Sequence, residues 1–163
     1  MSNSKEIDCK FEKLCETHFN FLEHDFGFRL SESIRNAQCV CLTYKNGTTG
    51  IQAILERDGV LIRLCRLWWG RIPSQSPFWE ILSSEMGVRM PAHYLNTLLY
   101  VRAPEDFDRL RQLGHDVQQV IPFCARALVI HGRDILEGDF SVFKLLEKAL
   151  KQRAKETKGR SWG

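Results

Sequence analysis

Between residues 5 and 24, core-type side chains recur at steps of three and four. Ile7, Phe11, Leu14, His18 and Leu22 form one stripe, and Phe19 and Phe21 widen it. That spacing predicts an amphipathic helix with one face turned inward. Gly27 stands where a left-handed residue would end it. The period then drops from 3.6 to 2. Residues 28–35 alternate, with Phe28, Leu30 and Ile34 expected on one face and Arg29, Ser31, Ser33 and Arg35 on the other. Residues 37–45, 49–57 and 60–69 read as three further strands. Asn46-Gly47 and Asp58-Gly59 separate them, and such pairs suit tight hairpins because both residue types tolerate positive φ. A four-stranded antiparallel meander follows. Ile51, Ala53, Leu55, Val60, Ile62 and Leu64 mark its core face. The opposite face mixes Gln52, Glu56 and Arg63 with apolar residues, as in a partly solvated sheet.

Residues 70–91 carry Pro73, Pro77 and Pro91 and read as irregular, with one helical turn expected at 78–82. A helix is expected over 92–102, ended by Pro104. Another is expected over 116–137, with Pro122 kinking it or setting its true start, and Gly138 closing it. Asp139 or Ser141 then caps a last helix that turns Phe140, Phe143, Leu146 and Leu150 inward. The expected fold class is α+β: an N-terminal helix, a four-stranded antiparallel β-meander, and C-terminal helices on one sheet face. One domain over residues 1–150 and a basic, fraying tail over 151–163 complete the expectation.

Bulk composition is that of an ordinary globular domain: 163 residues, 44% hydrophobic and 26% charged. No apolar run approaches the roughly 20 residues that span a bilayer, and residues 1–5 show no apolar signal core. The expectation is a cytoplasmic chain with no membrane partner. Its six cysteines form no C-x-x-C pair, which fits reduced, buried thiols. Net charge is +3, unevenly spread. From Lys144 onward there are seven basic and two acidic residues, leaving sixteen basic and eighteen acidic for the rest.

Candidate chemistry thins out on inspection. Asp25-Phe26-Gly27 has the letters of a kinase metal-binding tripeptide but none of the accompanying motifs. No G-x-S-x-G elbow and no phosphate-binding glycine loop is present. Cys39, Cys41 and Cys65 lack the loop spacing of a zinc site. His93, His115 and His131 cannot be paired with carboxylates by spacing alone. No catalytic residue, metal or cofactor is therefore expected. The residues that invite a function are Trp68, Trp69 and Arg71. Adjacent strand residues face opposite ways, so one tryptophan should reach the open sheet face or its rim, and Trp and Arg dominate binding hot spots. With Arg29, Arg35, Glu56 and Arg63 they would form a mixed-charge docking surface for another protein. The alternatives are a nucleic-acid accessory protein using the basic tail, and a small enzyme whose site is assembled from distant residues.

The order of helix, meander and terminal helices resembles a group of small, uncharacterised bacterial α+β proteins. The likeness is carried by residues 26–30, 60–66 and 134–143. Proteins of this build are similar to immunity proteins of bacterial toxin systems, which implies a non-enzymatic role of binding and blocking a toxin domain. The resemblance carries over no functional residue.

Overall fold

A computed structural model describes residues 2–74 and 89–160; the helical turn expected at 78–82 lies outside them. Helix α1 spans Ser2–His18. The chain turns at Phe19 and Asn20 and resumes as a short α2, Phe21–Phe26. One long helix was expected; Asn is a poor helix-interior residue, and the turn lets Phe19 and Leu22 both enter the core. The inward stripe is therefore Phe11, Cys15, Phe19 and Leu22, whereas Ile7 is exposed. Gly27 caps α2 at φ 71°, as expected.

Strands β1 (Arg29–Arg35), β2 (Cys39–Lys45), β3 (Thr49–Glu56) and β4 (Gly59–Arg66) form the antiparallel meander. A fifth strand, β5 (Ala92–Tyr94), pairs with β4 where a helix start was expected. Three residues are too few for alternation to be visible beside the helical pattern that follows. β1 departs from the expected alternation as well. Leu30 opposes Tyr44 but Glu32 opposes Thr43, with a bulge between them. One extra residue inverts the phase. Leu30 and Arg35 thus share the helix-facing side with Tyr44 and Val40, and Ile34 lies with Cys41 on the other side.

The hairpins form where expected, by different means. Gly47 does not have positive φ. The β2–β3 turn is instead held by the Asn46 side chain, whose Oδ1 accepts from the Thr48 and Thr49 amides at 3.0 and 2.8 Å. Its Nδ2 donates to the carbonyls of Phe26 and Leu136 at 3.2 and 3.3 Å. In the β3–β4 turn, Glu56 pairs with Gly59, so Arg57 and Asp58 are the central residues and only Gly59 has positive φ, 127°.

After β5 come α3 (Leu95–Arg102), α4 (Pro104–Leu113), α5 (Val117–His131), α6 (Arg133–Leu136) and α7 (Phe143–Arg160). Pro104 ends α3 and also begins α4, since a proline at the first helical position loses no hydrogen bond. Glu105 and Asp106 in that first turn suit the helix dipole. The α5 start is set by Asp116, which accepts from the Gln118 amide, and Pro122 lies inside the helix. A break at Gly132 separates α5 from α6. A Cβ there would meet the Leu128 side chain at 2.9 Å, so glycine permits the close approach. The core lies between these helices and one sheet face: Val40, Leu42, Ile51, Ala53, Ile62 and Leu64 meet Leu98, Ile121, Leu128, Phe143 and Leu146. This is the α+β arrangement the sequence predicts, with one more strand.

Candidate functional site

β4 ends at Arg66, not at residue 69, so the two tryptophans are not on a strand. They form a tight turn. Trp68 and Arg71 exchange two backbone hydrogen bonds, Trp68 N–H to Arg71 O at 3.0 Å and Arg71 N–H to Trp68 O at 2.9 Å. Trp69 and Gly70 at the tip have φ of 53° and 74°. Two consecutive positive φ values define a type I′ turn. Among the described residues, Trp69 is the only non-glycine with positive φ. The turn is steadied from β2, where Lys45 Nζ donates to Gly70 O at 3.2 Å. Trp69 is 100% exposed and Trp68 47%. Opposite strand faces were the expected reason for an exposed tryptophan; the observed reason is a turn that holds the ring clear of the body.

The second sheet face is a polar ladder. Gln52 Nε2 donates to Thr43 Oγ1 at 3.1 Å, and Arg63 Nη1 donates to Gln52 Oε1 at 3.0 Å. Arg63 also donates to Pro73 O at 3.0 Å and Ser74 O at 3.3 Å. Only 5% of Arg63 is exposed. Its placement in an open docking surface is corrected: it is a buried strut that ties residues 73 and 74 to the sheet, because its fork of donors satisfies several acceptors at once. Arg35 departs from the expectation as well. The β1 bulge carries it to the helix-facing side, where it meets Glu12 at 2.7 Å. Arg29 and Glu56 remain exposed on the second face, and Arg71 is exposed at the turn. The structure thus gathers Trp68, Trp69 and Arg71, leaves Arg29 and Glu56 on the sheet, and removes Arg35 and Arg63. Lys45 and Gln52 were missed, having no signal beyond their strand register.

The basic C-terminal segment continues as helix through Arg160. Arg153 is seated over Tyr100 at 4.6 Å and Phe107 at 5.6 Å, so cation–π contacts hold the helix against α3 and α4. Lys144, Lys148, Lys151 and Lys155 are all exposed. Their steps of four, three and four place them on one face.

The thiols and imidazoles are dispersed. Among the described residues, no three or more His, Cys, Asp or Glu side chains are grouped to hold a metal. Cys41 and Cys65 share the second face but have β3 between their strands. Burial pushes the Cys65 thiol up to about 11 and Cys124 up to about 12, which suppresses the nucleophilic thiolate. His131 Nε2 pairs with Asp106 at 2.8 Å. Alongside, Arg102 grips Asp134 through two hydrogen bonds of 2.8 and 2.7 Å, and that guanidinium holds the Asp134 carboxyl below its usual range. This network joins α3, α4, α5 and α6.

In comparisons with known proteins, no family, no curated protein and no solved structure matches the chain. Among the described residues, no helix is long and apolar enough to cross a membrane.

Proposed function

We propose that the chain is a non-enzymatic protein-binding module that docks through the Trp68–Arg71 turn, and that it acts as an immunity-type protein, binding and neutralising a partner toxin in the bacterial cytoplasm. One observation carries the reading: Trp69 is fully exposed in a left-handed conformation. A tryptophan in water forgoes the burial of a large apolar surface. Its backbone conformation is one that bulky residues disfavour, and strain of this kind collects at functional sites. The turn's own hydrogen bonds offset part of the backbone cost, but no described residue covers the ring. A partner that receives it would supply the missing burial.

The test begins with a tagged capture from host lysate, with nuclease and a salt series, followed by calorimetry on the recovered partner. Trp69→Ala weakens partner binding about thirtyfold, or roughly 2 kcal/mol, the scale of a hot-spot tryptophan. Trp69→Asn weakens it similarly while raising unfolding stability by up to about 1 kcal/mol, because Asn accepts positive φ. Unchanged affinity in Trp69→Ala excludes the turn as the docking element.

The lysine face of α7 favours a second reading, binding to nucleic-acid phosphates. Lys144, Lys148, Lys151 and Lys155 make no ion pair among the described residues. On this reading the capture yields nucleic acid instead, with a log–log salt slope of about −3, and deleting residues 151–163, which carry Lys151 and Lys155, reduces the slope by about half and weakens binding.

A further inference from the structure

The helix-facing side of the sheet is not fully covered at its β1 end. There α1, α2 and the first two strands enclose a groove of about 500 Å³. Its floor is apolar and aromatic, formed by Phe19, Leu42 and Tyr44, and Leu30 flanks it. Leu30 is there because the bulge after it keeps it in register with Tyr44. The rim is acidic: Glu12 and Glu16, one turn apart on α1, and Glu23 on α2.

Two observations say what the groove accepts. Arg35 already places a guanidinium on Glu12, donating twice to its Oε1 at 3.2 and 2.7 Å. Glu16 and Glu23 are exposed and have no such partner among the described residues. Tyr44 is 5% exposed, and what remains accessible opens into this groove. Among the described residues its hydroxyl makes no hydrogen bond, and it is not sealed from solvent, so a polar group entering the groove can reach it. Burial, together with the charges of Glu23 and Glu16 among others, drives its pKa upward, so it stays a neutral donor and acceptor. An aromatic floor under carboxylates suits a cation on a hydrocarbon stem. Alongside runs β1, the last strand of the sheet, with no strand on its outer edge among the described residues. Such an edge can accept an added strand.

We propose that this groove receives a lysine or arginine side chain from an extended basic segment of a partner protein, lying along the outer edge of β1. The segment's cation sits between Glu16 and Glu23, its stem crosses Phe19, and Tyr44 supplies the remaining polar contact. The site is independent of the Trp69 turn.

The probe is a fluorescein-labelled peptide of four Arg-Val repeats, read by anisotropy against the full chain, with four Glu-Val repeats as control. The arginine peptide binds and the glutamate peptide does not. Glu16→Gln with Glu23→Gln weakens binding at least about tenfold, since two charge-assisted contacts are lost. Tyr44→Phe weakens it about threefold to tenfold by removing one hydroxyl. Trp69→Ala leaves it unchanged. Equal binding of both peptides, no binding of the arginine peptide at about 1 mM, the weak-affinity limit, or wild-type affinity in the double glutamine variant overturns the proposal. Weakening by the glutamines with Tyr44→Phe unaffected also overturns it, since charge on the surface of α1 would then suffice without the groove.

Discussion

Asn46→Ala lowers the unfolding free energy by about 3 kcal/mol in urea titrations. Four backbone groups lose their partner at once: the amides of Thr48 and Thr49, and the carbonyls of Phe26 and Leu136. Each hydrogen bond of this kind contributes about 0.5–1.5 kcal/mol net, and groups left unsatisfied away from water cost more. Asn46 is half-buried, and only part of that loss is recovered by solvent. It joins three parts of the chain, the β2–β3 turn, the end of α2 and the end of α6, so its removal acts on tertiary structure as well as on a hairpin. Gly47→Ala is the control. Its φ is not positive, and a Cβ there meets nothing within 4 Å. That variant stays within about 0.5 kcal/mol of wild type, as surface substitutions do. A turn that needed positive φ at Gly47 would lose about 1 kcal/mol or more.

His93 makes the fold acid-sensitive over a defined window. It lies on β5, is 3% exposed, and neither ring nitrogen has a hydrogen-bond partner among the described residues. The ring meets Phe143 edge-on at 4.7 Å. Burial, with a smaller contribution from the nearby Arg89 charge, lowers its pKa from 6.5 to about 4. Arg89 is itself held by Glu147 on α7 at 3.1 Å, which keeps the positive charge close to the ring. The unfolded chain takes up a proton near pH 6.5, and the folded chain only near pH 4. Between these values the unfolded state binds more protons, so stability falls as pH falls. The loss amounts to roughly 3 kcal/mol by pH 4, at 1.36 kcal/mol per unit. Above pH 6.5 this group contributes no pH dependence. His93→Leu removes the slope within the window, and at pH 7 it raises stability by about 1–2 kcal/mol, because two unsatisfied nitrogens leave the core. Urea titrations at pH 7 and 4.5 on both proteins measure the effect; parallel losses would assign the acid sensitivity to other groups. Asp134, held low by Arg102, contributes its own loss at pH values below its ordinary range.

Much of this arrangement is legible without coordinates, and the failures have specific causes. The meander and its inward face are visible because side-chain direction repeats every two residues wherever one face is buried, so Ile51, Ala53, Ile62 and Leu64 declare themselves. β1 breaks the rule since one inserted residue at a bulge leaves no mark in composition, yet it reverses Ile34 and Arg35. β5 is hidden by its length. α4 is hidden by Pro104, which as a pattern signals an end and in the structure is also a beginning. The candidate surface divides in the same way. Two tryptophans beside an arginine stand out in any reading, but how far each stands in solvent depends on where β4 stops.

By itself the sequence determined the fold class, the strand count to within one, the core face of the sheet and the place of each hairpin. These follow from local periodicity and turn chemistry, which act over a few residues. Only the tertiary structure decided that Asn46, not Gly47, holds its turn, that Arg63 is a buried strut and Arg35 an ion-pair partner, that Trp69 stands clear at positive φ, and that Tyr44 opens onto an acidic groove. Those outcomes depend on partners 10 or more residues away in the chain, as Arg63 is from Gln52 and Pro73, on a shift of register, or on where β4 stops, and none of these is encoded in the spacing of neighbouring side chains.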